Sequence, residues 1–379
     1  MKKDLKDYKI FLIHNFFVDN FTALFQKLGP LFDITFLMTR ETTKTDKVMF
    51  QINERKRPEN LKYKIFKHLT FLSKYQCALG MIPFLLFKDY DLLISTDQHV
   101  SETYIGFFIS KLRRKKFIIW SETFDWPRAP RSKILDPLVK FISRHSDACI
   151  AAGTKARAYF IKKGAKPKNV FIAYDSAVKH QIIKRDDKPE YKNKKIILYL
   201  SRIVPYKGLD FLIKAFAKLE KERGDIFLLI GGKGSFEDEA KRLAKNLSVK
   251  NIKFLGPVDR DYLGFYYSIC DIFVLPSTFR DYDAECWGLV SNEAMAFGKP
   301  IISTDAVGGA HDLIKNRING FMVKHGNVEE LYLALKKILL NDKLRKKMGE
   351  ESKKLIETKF NYNNRAEGFR QAINYALFR

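Results

Sequence analysis

The segment from Pro276 to Pro300, PSTFRDYDAECWGLVSNEAMAFGKP, follows directly on the apolar run DIFVL, Asp271–Leu275. A short apolar run that ends at a proline fits a strand buried on both faces. The segment then opens a helix around Gly288. Strand, polar loop and helix in that order form the repeating unit of a parallel sheet. The order recurs in both directions from here. Upstream, Ile196–Leu200 (IILYL) is followed by Leu209, Leu212, Ile213, Phe216 and Leu219 at helical spacing. Ile226–Ile230, Ile252–Leu255 and Ile301–Ser303 read as further strands, and three helical stretches follow Asn327. In the first half, Tyr8–Ile13, Asp33–Met38, Asp91–Ser95, Phe117–Trp120, Ala148–Ala152 and Val170–Ala173 read as strands, with a helix near Phe21–Leu28. Arg40–Asn60 is polar, and Leu61–Leu79 is aromatic and lysine-rich; neither declares an element.

Lys179–Lys195, KHQIIKRDDKPEYKNKK, has no apolar periodicity and divides the two halves. The expected architecture is therefore α/β: an N-terminal domain over 1–180, a linker over 181–194 and a C-terminal domain over 195–360. Residues 361–379 are expected to form a helix packing back towards the N-terminal domain. Two doubly wound domains facing across a cleft suit the length of 379 residues. Such sheets bind ligands at the carboxyl ends of their strands.

Composition narrows the partners. The chain is 46% apolar and 30% charged, which excludes wholesale disorder. With 69 basic and 43 acidic side chains the net charge is +26, so anionic partners are expected. Residues 1–190 hold 36 basic and 20 acidic side chains, with a dense run at Lys111, Arg113, Arg114, Lys115 and Lys116. Beside the aromatic Leu61–Phe87 segment, that run fits either a solvated helix end or a surface facing anionic lipid. Four scattered cysteines form no metal or disulfide pattern, and reduced thiols in a cytoplasmic protein are the simple reading. The charged N-terminus lacks a signal core, and the apolar stretch Cys77–Phe87 is about half a membrane span.

Two loops carry the chemistry. Arg202 and Lys207 lie in SRIVPYKG, between a strand and a helix, where two cations beside a helix N-terminus can clamp a diphosphate. Gly208 permits close backbone approach there. Glu285 precedes the Gly288 helix and Glu293 lies about two turns along it. Glu285 can accept hydrogen bonds from a polyol or cap the helix, and Glu293 can face the same ligand or solvent; the spacing admits both. The loop Gly231-Gly232-Lys233-Gly234 has neither dinucleotide nor P-loop spacing and counts only because it follows a strand at the same sheet edge.

Ser201–Gly208, Gly231–Gly234, Phe254–Val258 and above all Glu285–Pro300 resemble the family 4 retaining glycosyltransferases of GT-B fold, whose paired glutamates are separated by seven residues. Ser303–Leu313 and Asn319–Phe321 add to the resemblance, which spans about Lys195 to Phe360. It implies two Rossmann-like domains and a nucleotide-diphosphate sugar as donor. Arg202 and Lys207 would then hold the diphosphate, Glu293 the ribose and Glu285 the sugar hydroxyls. The backbone at Trp287, Gly288 and Leu289 would touch phosphate or sugar, and Gly232, Gly256 and Val258 would complete the donor site. Catalysis would fall to Glu285, Arg202, Lys207 and Glu122, by front-face transfer with retention. Where many relatives have a histidine after the strand Phe117–Trp120, this chain has Ser121 and Glu122. Glu122, with Asp97 and His99, is assigned to the acceptor side. The first strand is followed by His14-Asn15-Phe16-Phe17 rather than glycines, and Asp175-Ser176 stands where relatives commonly have Asn-Gly.

Asp281-Tyr282-Asp283 spells a metal-binding Asp-x-Asp, but the cations at 202 and 207 make metal independence the expectation, with no cofactor. The acceptor is expected to be lipid-linked or another glycoconjugate, met at the cytoplasmic membrane face by a peripheral protein. A phosphorylase would need a lysine-bound pyridoxal phosphate, for which no distinct signal exists. The alternative from another class is a non-catalytic protein of the same fold that binds nucleic acid or acts as a scaffold. No nucleic acid is expected, because the cations are spread along the chain rather than gathered in a recognition motif.

Overall fold

The computed structural model describes residues 5–15, 19–39, 60–66, 69–71, 75–97, 100–125, 134–183 and 191–379. Two compact units emerge. Unit 1 draws on the chain up to Ser176 and on Tyr362–Arg379, and unit 2 on Ala177–Asn361.

Unit 1 is built on a seven-stranded sheet, in the order β3-β2-β1-β6-β7-β8-β9. Its strands are β1 (Lys9–His14), β2 (Asp33–Met38), β3 (Lys62–Ile65), β6 (Leu92–Thr96), β7 (Lys116–Ser121), β8 (Ala148–Ala151) and β9 (Val170–Ile172). All neighbours run parallel. A separate hairpin pairs β4 (Leu69–Phe71) with β5 (Tyr75–Cys77). Alternation along β1 divides the core between two layers: Ile10 and Leu12 pack on one face, Phe11 and Ile13 on the other. The first face is covered by the helix Asp19–Leu28 and by the C-terminal helix Tyr362–Leu377, which contributes Ala366, Phe369, Ala372 and Ile373. Gly368 of that helix lies so close to the Ile172 carbonyl that a Cβ would collide with it.

Unit 2 holds a six-stranded parallel sheet in the order β12-β11-β10-β13-β14-β15. The strands are β10 (Lys195–Leu200), β11 (Ile226–Gly231), β12 (Ile252–Gly256), β13 (Ile272–Leu275), β14 (Ile301–Thr304) and β15 (Gly320–Val323). The apolar face of the helix Leu209–Glu220 meets Ile197, Tyr199, Leu228 and Ile230 in one core cluster. In both sheets the strand order reverses once, between β1 and β6 and between β10 and β13. Those reversals open the crevices in which such sheets bind ligands.

Four strands escape the sequence reading. The edge strand β3 reads KYKI, with exposed lysines at alternate positions, so its apolar signal is half that of an inner strand. The hairpin strands are three residues each. β15 starts on Gly320, which sits against the Ile301 backbone with no room for a side chain. The apolar stretch Cys77–Phe87 yields the helix Met81–Phe87, with Pro83 in its first turn, where a missing N–H is harmless.

Candidate functional site

The loops that follow β10 and β13 meet at the reversal in unit 2. Thr278 N donates to the Tyr206 carbonyl at 2.7 Å, tying one loop to the other. Gly208 has φ 68°, and a Cβ there would run into the Pro276 carbonyl. Glycine is therefore required both for the left-handed turn and for the close approach. The contact places Lys207, 7% exposed, beside Glu285, and the two form an ion pair. Burial foremost, and then the Arg202 guanidinium, push the Lys207 ammonium down to about 7. Contact with the Glu285 carboxylate opposes that shift. Arg202 is exposed, with Nη2 donating to the Tyr206 hydroxyl at 2.6 Å.

Glu285 is fixed from its backbone. It bridges to Val307, and Gly308 N donates to its carbonyl at 2.9 Å. The capping alternative is thereby corrected: the helix Leu289–Ala296 is capped by Gly288, with φ 82°, and no side chain bonds its first turn. Trp287 is buried, and its Nε1 donates to Asn292 at 2.8 Å. Its bulk serves packing.

Glu293 lies on the same helix, and its Oε2 accepts from the Tyr267 hydroxyl at 2.7 Å. His180 Nε2 stands 3.4 Å from the same oxygen. Burial, and then the Glu293 charge, raise Tyr267 well above the usual phenol range, so its hydroxyl keeps the proton that it donates. The solvent-facing alternative for Glu293 is corrected as well, since its side chain is only 12% exposed. Neither Tyr267 nor His180 is signalled by the sequence, because the helix Arg260–Ile269 and the residues after β9 lie far from Glu293 along the chain.

Gly232, with φ 135°, packs on the Ser201 carbonyl and donates its N–H to the Gly256 carbonyl at 2.8 Å. Gly256, with φ 69°, faces open space where a Cβ would stand. Val258 is buried. The Asp-x-Asp forms a tight turn closed by Arg280 and Asp283, with Asp281 and Tyr282 left-handed and exposed. Among the described residues no group of three or more His, Cys, Asp or Glu could hold a metal ion.

In unit 1 the assigned residues follow β6 and β7. Asp97 is exposed and left-handed, with φ 61°; His99 lies outside the described residues. Glu122 shares a hydrogen bond with Asp175, and Asp175 is ion-paired with Arg365 of the C-terminal helix. Asp175 and Arg365 are both essentially inaccessible. The guanidinium also lies over the Trp120 and Phe21 rings, at 5.3 and 5.5 Å. Burial first, and the Asp175 charge next, push Glu122 well above the carboxylate range, while burial also raises Asp175 and the Arg365 charge opposes it.

Residues 180–355 match the sequence family Glycosyl transferases group 1. An uncharacterised glycosyltransferase of Methanocaldococcus jannaschii is 27% identical over 308 residues, 76% of each chain. The GDP-mannose-dependent monoacylated alpha-(1-6)-phosphatidylinositol monomannoside mannosyltransferase of Corynebacterium glutamicum is 34% identical over 169 residues, 44% of each chain. At that level of identity the chain spans less than half of its relative. The crystal structure of Anabaena HepE in complex with UDP is similar over 97% of this chain and 99% of that one, with a TM-score of 0.75 at 17% identity. The fold is thus that of the GT-B glycosyltransferases.

Proposed function

We propose that this chain, whose residues 180–355 match the group 1 glycosyl transferases, is a retaining glycosyltransferase using a nucleotide-diphosphate sugar. The observation that carries the reading is the meeting of Lys207 and Glu285 at the strand reversal of unit 2. It sets a diphosphate-binding cation beside a carboxylate suited to sugar hydroxyls. A bound diphosphate would compete for Lys207 and release Glu285 towards the sugar. Arg202, exposed and on the same loop, would chelate the phosphates. As the bond between sugar and phosphate breaks, negative charge grows on the leaving diphosphate, and both cations stabilise it without a metal ion. The departing phosphate oxygen would accept the acceptor hydroxyl's proton on the same face, which retains configuration.

Glu293 would bind the ribose, with its carboxylate held by Tyr267. Gly256 offers space for the base. Unit 1 would bind the acceptor, with Asp97 and Glu122 as contacts. Support for a lipid-linked acceptor comes from the phosphatidylinositol mannoside named for the Corynebacterium relative. Peripheral placement on a membrane accords with net charge +26 and with the lack, among the described residues, of a helix long and apolar enough to cross one.

Thermal stabilisation by UDP, GDP, ADP and their sugars, with and without magnesium, tests the reading, since ligand bound only to native protein raises the melting temperature. One diphosphate is expected to give a selective, magnesium-independent shift that Arg202→Ala and Lys207→Ala both reduce. No shift with any nucleotide would favour the non-catalytic alternative. Glu285→Gln should cut turnover while sparing nucleotide affinity, whereas Glu293→Ala should weaken the nucleotide itself; the reverse pattern would exchange their roles.

A further inference from the structure

Unit 1 carries exposed apolar side chains on three neighbouring helices, Met81–Phe87, Ser101–Leu112 and Asp136–His145. Phe87 is 83% exposed, Leu112 76%, Phe108 49% and Phe141 46%. Contacts between the helices bring them to one side of the unit. The Phe108 ring stacks on Phe141, with centroids 6.4 Å apart. Leu112 follows Phe108 by one turn on the same helix face. Arg113 Nη1 donates to the Leu85 and Lys88 carbonyls at 2.7 and 2.6 Å, which brings the end of the first helix, with Phe87, beside Leu112. A soluble surface seldom gathers large apolar groups in this way without a partner.

Charge identifies the partner. Segments 87–91, 108–116 and 136–147 hold eight Lys or Arg residues against four Asp. Lys111 and Lys116 pair with Asp147 at 2.8 and 3.4 Å, and Lys115 reaches Asp89 at 3.5 Å, so much of the basic run is offset locally. Lys88, Arg114 and Arg144 are exposed and make no ion pair among the described residues. An apolar face rimmed by uncompensated cations is complementary to an anionic bilayer, which takes aromatic and aliphatic groups below a negative headgroup layer. It is poorly complementary to a second copy of itself, because the two rims would repel. We propose that the Phe87–Phe108–Leu112–Phe141 face is the surface by which this protein docks on anionic lipid.

The inference rests on, and deepens, the membrane-facing part of the function proposed above. It narrows the lipid contact from the Lys111–Lys116 run and the Leu61–Phe87 stretch to the outer faces of three helices, Phe87 included. The face is also set apart from the unit 1 residues assigned to the acceptor. Asp97 precedes the helix Ser101–Leu112, whose 12 residues span about 18 Å before reaching Leu112. Substitutions at its far end therefore leave the proposed catalytic residues untouched.

Flotation of the full chain with phosphatidylcholine vesicles, with and without phosphatidylglycerol, tests the surface. Wild type should float with the anionic vesicles only, and added salt should release it. Phe87→Ser with Leu112→Ser should lower partitioning by about tenfold or more. Arg114→Glu with Arg144→Glu should lower it by at least about fivefold per residue changed. Leu340→Ser, at an apolar residue 61% exposed in unit 2, should change nothing. Wild type that ignores anionic vesicles, equal flotation by both double variants, or equal loss in Leu340→Ser would overturn the proposal. So would a dimer in sedimentation that Phe87→Ser/Leu112→Ser converts to monomer. Nucleotide-dependent melting, measured on the same samples, keeps the two readings separate. Its survival in a variant that loses flotation leaves the enzymatic reading intact, and its absence from wild type would fail that reading alone.

Discussion

At the scale of single residues, Lys207 is the group with the most consequence. Buried and next to Arg202, it is pushed down to about 7, whereas an exposed lysine titrates near 10.5. A lysine held at about 7 would lose its proton above that pH in the free protein, whereas a diphosphate bound there, as proposed, would favour the ammonium. Binding should therefore take up a proton, and affinity should fall as the pH rises above about 7. Calorimetric titration in buffers of different ionisation enthalpy would reveal the uptake, and Lys207→Met should abolish it along with roughly ten- to hundredfold of affinity. The sign for stability follows from the same shift. Between about 7 and 10.5 the unfolded chain holds a proton that the folded chain lacks, so the ligand-free protein should gain stability with pH across that window. A flat profile in the wild type would mean that the Glu285 contact keeps Lys207 charged. The sequence names Lys207 and Glu285 as candidates, but not their contact. That contact requires two loops separated by more than 70 residues to lie against each other, and the left-handed Gly208 lets them do so.

At the scale of elements, the helix Tyr362–Leu377 is held to unit 1 by more than its alanines and Phe369. Arg365 enters the core beside Trp120 and pairs with Asp175, which in turn shares a hydrogen bond with Glu122. Breaking one side of a buried pair strands the other charge. Arg365→Met should therefore destabilise by about 3–5 kcal/mol, visible as a lower urea midpoint at unchanged slope. Removing both charges, in Arg365→Met with Asp175→Leu, should recover much of the loss. If the single and double variants were equally unstable, packing rather than charge would hold the helix. No local pattern marks Arg365 for burial, because it stands in NYNNRAEGFR among polar residues. Its place depends on what Trp120, Asp175 and Glu122 build on the sheet beneath it.

At the scale of the molecule, the core cluster around Ile197, Tyr199, Leu228 and Ile230 draws on unit 2 alone, and the layers on either side of β1 draw on unit 1 alone. Arg202, Lys207 and Glu293, proposed to hold the donor, all belong to unit 2. Scanning calorimetry should then resolve two transitions, of which saturating nucleoside diphosphate raises one. At a hundred times Kd the gain should be about 2.7 kcal/mol. A uniform shift of a single transition would mean that the units unfold as one.

Much was determined by the sequence alone. The inner strands β1, β2, β6 to β8, β10, β11, β13 and β14 declare themselves through runs such as IILYL and DIFVL, because a parallel strand buried on both faces must be apolar throughout, and the edge strands β9 and β12 show through shorter apolar runs. The loops after β10 and β13 also stand out, since cations, carboxylates and glycines interrupt those runs at the strand ends. Tertiary structure alone decided which of these groups meet. It paired Lys207 with Glu285, set Tyr267 and His180 around Glu293, and buried Arg365 against Asp175. Periodicity along a chain reports how a residue stands to its own element. A contact between elements depends on sheet order and close backbone approach, which are properties of the folded whole.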